Sequence, residues 1–190
     1  MPFLHLRIKL KMTKVEDYTQ QVSEEFEQCR KQAFSLAVRL LKNPDDALEI
    51  VQTSIEKGLN HPGAPALDHP EFKPWLFTVV RNKSIDILRR KKRLPHFEHE
   101  EYHTQAPSDS EPEKALQQLQ LKETIEHALD QLNTEQKEII LLRDYHNFSY
   151  IDIAKILSIA KGSVMSRLHR SRMALREILI NQGVALGGLS

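Results

Sequence analysis

The stretch SYIDIAKILSIAKGSVMSRLHRSR, residues 149–172, decides the fold. Ser149 followed by Asp152 at the third position beyond it has the form of a capping box, and Ile153, Ile156 and Leu157 share one side of the helix that it starts. After a turn made of Ser158, Ile159 and Ala160, a longer helix follows with Val164, Leu168, Leu175 and Leu179 as its buried stripe. The other side of that helix shows Lys161, Ser163, Met165, Ser166, Arg167, His169, Arg170 and Arg172, and between Lys161 and Arg176 there are five Lys/Arg and no acid. In a helix-turn-helix the second helix enters the DNA major groove, where its outward residues reach base edges and flanking cations reach phosphates. The basic second helix is therefore expected to bind DNA. Taken alone, the stretch also fits an ordinary helical hairpin with a solvated basic face.

A second basic cluster weakens that alternative. RNKSIDILRRKKR, residues 81–93, holds seven Lys/Arg against the single Asp86, on a helix entered through FKPWLF. Cations beside Phe72, Trp75 and Phe77 are the combination expected where single-stranded nucleic acid is held, although a lone Trp75 is more often simple core. The whole chain of 190 residues nevertheless balances 27 Lys+Arg against 26 Asp+Glu, so its charge is segregated rather than absent. One acidic side lies on Asp45, Glu49, Gln52 and Glu56, spaced along a single helix face.

The rest of the composition narrows the function classes. A lone Cys29 excludes an internal disulfide and Cys-based zinc modules, which need at least two thiolates. With 6 glycines and no GxGxxG or Walker-type loop, no segment is suited to cradle a nucleotide phosphate, and no cofactor is implied. No run has the apolar length of a membrane span, and MPFLHLRIKLKM is unlike a signal peptide, so no membrane insertion and a cytoplasmic location are expected.

Along the chain, apolar spacing predicts helices from Phe26 to Leu41, from Pro44 to about Leu59 and from Trp75 to about Lys92, the last burying Leu76, Val79, Val80, Ile85 and Leu88. The proline-rich segment at residues 60–74 reads as a loop. Residues 94–114 carry six acids, three prolines and three histidines with few aliphatics, the composition of a linker. Two further helices follow, the second with Asn133 as cap and Gln136 completing a capping box. The alternation Leu4, Leu6, Ile8, Leu10, Met12 has no partner strand, so residues 1–12 read as a disordered extension. The expected fold is all-α: two small helical domains joined by a flexible acidic linker, the second a helix-turn-helix.

NPDDALEIVQTSIEKGL, FKPWLFTVVRNKSIDILRRKKR and LNTEQKEIILLRDYHNFSYIDIAKILSIAKGSVMSRLHRSRMALREIL together resemble successive motifs of bacterial RNA polymerase sigma factors of the extracytoplasmic-function (ECF) subfamily. The resemblance implies region 2 over residues 13–93, a linker at 94–112, region 4 over 113–180 and a tail at 181–190. It implies a transcription initiation factor, not an enzyme, that binds core RNA polymerase through its β′ clamp and β subunits, selects and opens promoter DNA, and is held by an anti-sigma factor. Asp45, Asp46, Glu49 and Gln52 would then face the polymerase, with Leu48 standing where the family motif usually has an acid. Trp75, Arg81, Asn82, Asp86, Arg89 and Arg90 would face the minus-ten strand, and the loop from His61 to Lys73 would capture an unstacked base. Met165, Ser166, His169 and Arg170 would face minus-thirty-five bases, with Lys161, Ser163 and Arg167 toward phosphates. Met165 stands in place of the usual basic residue, and Ser158 in place of the usual turn glycine.

Two other classes compete. A helix-turn-helix regulator that never joins the polymerase explains the C-terminal half but gives the acidic face and the FKPWLFTVVRN helix no role. A metal-dependent enzyme built on His96, His99 and His103 lacks a partner helix to fix ligand geometry.

Overall fold

The computed structural model describes the backbone of residues 3–93 and 112–184, and side chains over 22–93 and 119–184. All regular structure among them is helical, and the chain divides into two compact units, Met1–Pro95 and His96–Ser190. The linker residues 94–111, with His96, His99 and His103, and the tail residues 185–190 lie outside the described residues.

The first unit packs three helices, α1 (Phe3–Leu41), α2 (Pro44–Asn60) and α3 (Phe72–Arg93). Lys42 ends α1 in the left-handed region with φ 58, and Asn43 begins α2 by accepting the amides of Asp45 at 2.9 Å and Asp46 at 3.0 Å. Pro44 at the first helical position needs no amide partner, and the two aspartates sit at the positive helix end. Ala33, Leu36 and Ala37 of α1, Ala47, Ile50 and Val51 of α2, and Leu76, Phe77 and Val80 of α3 form the core. Val79 and Leu88, expected on the buried side of α3, are only half-buried, because Phe77 takes the central position instead.

Two boundaries differ from the sequence reading. Helix α1 already begins at Phe3, so residues 3–12 are helical rather than an unstructured extension; no glycine or proline interrupts residues 3–41, and the alternating leucines have no strand to pair with. Helix α3 begins at Phe72 rather than Trp75, since Pro74 falls in its first turn, where a missing amide costs nothing.

The second unit contains α4 (Pro112–Asp130), α5 (Thr134–Ile140) running into one π turn (Leu141–Tyr145), α6 (Tyr150–Leu157) and α7 (Lys161–Asn181). Asn133 caps α5 with the reciprocal Gln136 bond of a capping box. Buried Lys137 is neutralised by Asp130 at 2.7 Å, which ties the start of α5 to the end of α4. Ser149 accepts the Asp152 amide at 3.1 Å, but the Asp152 carboxylate takes the Ser149 hydroxyl at 2.6 Å rather than its backbone amide, so only half of the expected box forms. The core is built from Leu129, Ile139, Ile140, Leu141, Leu142, Phe148, Ile153, Ile156, Val164 and Leu168. Leu179 is buried as its spacing predicts, whereas Leu175 is half-buried and Ser171 lies inside, its hydroxyl bonded to the Arg167 carbonyl at 2.9 Å.

The turn between α6 and α7 sets the direction of α7. Ser158 adopts φ 54 and ψ 45, and the Ile159 amide reaches back to the Ala154 carbonyl at 3.0 Å. A side chain in this left-handed conformation is strained, and glycine relieves it. Ser158→Gly is therefore expected to stabilise the protein by about 0.5–1 kcal/mol in urea unfolding. A loss of stability would show that the serine side chain makes up for its backbone.

Candidate functional site

Helix α2 carries two kinds of acid. Asp45, Glu49, Gln52 and Glu56 are all exposed along one side, as their spacing predicts. Asp46 is instead turned toward α3, where Lys91 Nζ lies 2.8 Å from its Oδ2, with the two side chains 34% and 30% exposed. Farther along, Lys83 of α3 donates to Thr53 Oγ1 at 2.6 Å. Burial lowers the Lys83 pKa, as does Lys57, while Glu49 and Glu56 oppose the shift. An acidic helix thus lies beside a basic one, joined by one ion pair and one hydrogen bond to a neutral hydroxyl.

On α3, Asn82, Asp86, Arg89 and Arg90 are exposed and recur at helical spacing, so one side of the helix presents them together. The Asn82 side-chain oxygen accepts from the half-buried Arg81 at 3.0 Å, and Asp86 lies 3.7 Å from Arg89. Two of the three aromatic rings expected beside these cations are withdrawn into the core. Phe72 and Phe77 are buried, 3% and 0% exposed, because the three-helix core needs their volume. Trp75 is half-buried, 6.0 Å from the Phe72 ring, and rests on Gly58, where an added Cβ would approach the indole to 2.8 Å. Its indole therefore has one face occupied by the fold. A cavity of about 340 Å³ lies between α1 and the end of the loop, lined by Gln28, Cys29, Gln32, Asp68, His69 and Lys73 among others. Burial pushes the Cys29 thiol up to about 11, against the pull of Lys73, which leaves it a poor nucleophile at neutral pH.

On α7, Lys161, Met165, Ser166, His169 and Arg170 are exposed, and Ser163 and Arg167 are half-buried. Arg170 Nε reaches the Ser166 carbonyl at 3.3 Å, a contact within the helix that leaves the side chain on the outer face. Arg167 lies 3.8 Å from Glu135 of α5, a loose and exposed pair. Arg172 has a different task. It grips Asp144 of the π turn through both Nε and a terminal nitrogen, and that hydrogen bonding raises its pKa. Nearby, Arg143 donates to the Phe148 carbonyl at 2.8 Å and sits over the Tyr150 ring at 5.0 Å. The Arg172–Asp144 pair braces α7 against the segment before α6, and Arg143 fastens that segment to the start of α6. The bracing role of Asp144 has no local sequence signal, since Arg172 is 28 residues from it.

Among the described residues, no group of His, Cys, Asp and Glu is placed to hold a metal ion, and no helix is long and apolar enough to cross a membrane.

Two family models match the chain: Sigma-70 region 2 over residues 26–94 and Sigma-70, region 4 over residues 122–175. Similar curated proteins include the ECF RNA polymerase sigma factor SigL of Mycobacterium tuberculosis, 34% identical over 151 residues covering 78% of this chain and 82% of the relative. The RNA polymerase sigma factor SigV of Bacillus subtilis is 31% identical over 146 residues, covering 75% and 81%. Among solved structures, the sigma factor RpoE of Bartonella quintana in complex with the anti-sigma factor NepR matches with a TM-score of 0.64 at 26% identity, covering 86% of this chain and 97% of the other. The complex of CnrH with the cytosolic domain of CnrY matches with a TM-score of 0.58 at 19% identity, covering 86% and 90%, a likeness of fold.

The different partners of the α7 arginines have a measurable consequence. Arg172→Ala is expected to lower stability by about 0.5–1 kcal/mol, the worth of a partly exposed ion pair, while Arg170→Ala changes it by less than about 0.5 kcal/mol. Urea unfolding of both variants checks this, and equal losses would contradict the division between a bracing and an outward-facing arginine.

Proposed function

The chain belongs to the ECF sigma factors, which direct transcription initiation by RNA polymerase and are not enzymes, and we propose how its surfaces divide that work. The exposed side of α2, with Asp45, Glu49 and Gln52, docks on a basic surface of core polymerase at the β′ clamp, and the second unit contacts the β subunit. Asn82, Asp86, Arg89 and Arg90 of α3 line the minus-ten strand, with Arg81 positioning Asn82 and Trp75 supporting the helix from the Gly58 side. Lys161, Ser163 and Arg167 of α7 contact phosphates, while Met165, Ser166, His169 and Arg170 reach minus-thirty-five bases. The protein acts in the cytoplasm, and an anti-sigma factor holds it inactive, as NepR is bound to the RpoE sigma factor that it resembles.

The observation that carries this reading is the neighbouring placement of an exposed acidic face and an exposed basic face on two helices that pack together. A regulator acting without polymerase has no use for the first of these, nor for a region 2 match over residues 26–94. Asp46 contributes less directly than Glu49, because its carboxylate already holds Lys91.

The exposed residues of α2 therefore make the cleaner test. Glu49→Lys combined with Gln52→Lys should abolish co-elution of the chain with core polymerase, since like charges set against each other at a close interface cost several kcal/mol. Shifting of a minus-thirty-five duplex by the same variant should persist. Normal co-elution of the double variant with core polymerase would refute the docking face.

A further inference from the structure

We propose that Met165 is a specificity-determining residue that packs on the C5-methyl group of a thymine in the minus-thirty-five element, an inference that rests on the reading of α7 as the helix in the major groove. Met165 is 62% exposed, the most exposed large apolar side chain among the described residues. Its neighbours on the outward side, Lys161, Gly162, Ser166 and His169, are polar or lack a side chain, so nothing on its own helix shelters the thioether. A single exposed apolar residue is ordinary on a protein surface. Gly162 makes this one unusual.

A Cβ built on Gly162 meets nothing within 4 Å, and Gly183 is the glycine with positive φ among the described residues. Neither crowding nor backbone conformation asks for glycine at position 162, in the first turn of α7. What glycine does provide is a bare patch of helix one turn before Met165. Helical side chains lean toward the N-terminus, so the Met165 side chain extends over the turn that holds Lys161 and Gly162. An unbranched, polarisable thioether beside an open patch can lie flat against an apolar target as the groove wall comes close. In the major groove the thymine methyl is that target, whereas adenine, guanine and cytosine present hydrogen-bonding groups there.

The test uses holoenzyme reconstituted from core polymerase and the full chain. The preferred minus-thirty-five sequence is first selected from a randomised promoter library. Each thymine in it, on either strand, is then replaced singly by deoxyuridine, which removes the methyl and keeps the base pair. One replacement is expected to weaken promoter binding about fourfold, the worth of one methyl taken out of apolar contact. In Met165→Ala holoenzyme that same replacement should have no effect. If every replacement is neutral in the wild type, or the loss persists in Met165→Ala, the methyl contact is overturned while sequence-selective binding by α7 stands. If selection returns no minus-thirty-five preference at all, the reading of α7 fails and takes this inference with it.

Discussion

The packing of α2 against α3 is the constraint on which the first unit depends. Ala47, Ile50 and Val51 meet Leu76, Phe77 and Val80 in a core that brings an acidic helix and a basic helix side by side. The Asp46–Lys91 pair at 2.8 Å and the Lys83–Thr53 bond at 2.6 Å lie across that contact. Each is partly exposed, and such a pair contributes only about 0–1 kcal/mol, so apolar burial holds the helices together and the polar contacts set their register. The same arrangement explains how a chain of net charge +1 can offer strongly charged surfaces of both signs. Asp46, which faces α3, is matched by Lys91, and Asp45, Glu49 and Glu56, one step around α2, remain exposed.

The second unit solves a different problem, that of presenting a basic helix at a fixed angle. Ser158 turns the chain sharply by adopting a left-handed conformation, and the bond from Ile159 to Ala154 closes the end of α6. Arg172 then fixes α7 to Asp144, while Val164 and Leu168 seat its inner side. The arginines of α7 are thereby sorted. Arg172 serves the fold, Arg167 is shared loosely with Glu135, and Arg170 with Lys161 and His169 stays on the outer face. A count of positive residues along the sequence treats all of them alike.

Local signals were the legible part of this protein. Pro44, Asn133 and Ser149 each mark a helix start where the sequence predicts it, and Val164 and Leu168 face inward as their spacing requires. The two helices and the short turn between them follow from those signals. What could not be read depends on contacts between distant segments. Lys91 and Asp46 are 45 residues apart, and nothing near either names the other. Phe72 and Phe77 lie beside a run of cations in sequence, yet they fill the core, because the three helices leave a volume that aliphatic residues alone do not occupy. The π turn at Leu141–Tyr145, followed by the buried His146 and Phe148, is likewise not expressed by helix periodicity. The exposed faces of α2, α3 and α7 were visible as charge patterns, but which charges remain available to a partner was settled only by packing.

In the proposed division of work both units act on one promoter, the first opening the duplex and the second fixing its position. Permanganate reactivity of thymines at the minus-ten element tests this directly, because only unpaired thymines react. With core polymerase, the full chain and a promoter selected by that holoenzyme, thymines of the minus-ten element should become reactive, and omission of the chain should leave them protected. Binding of the holoenzyme to the promoter with the minus-ten thymines still protected would contradict that division.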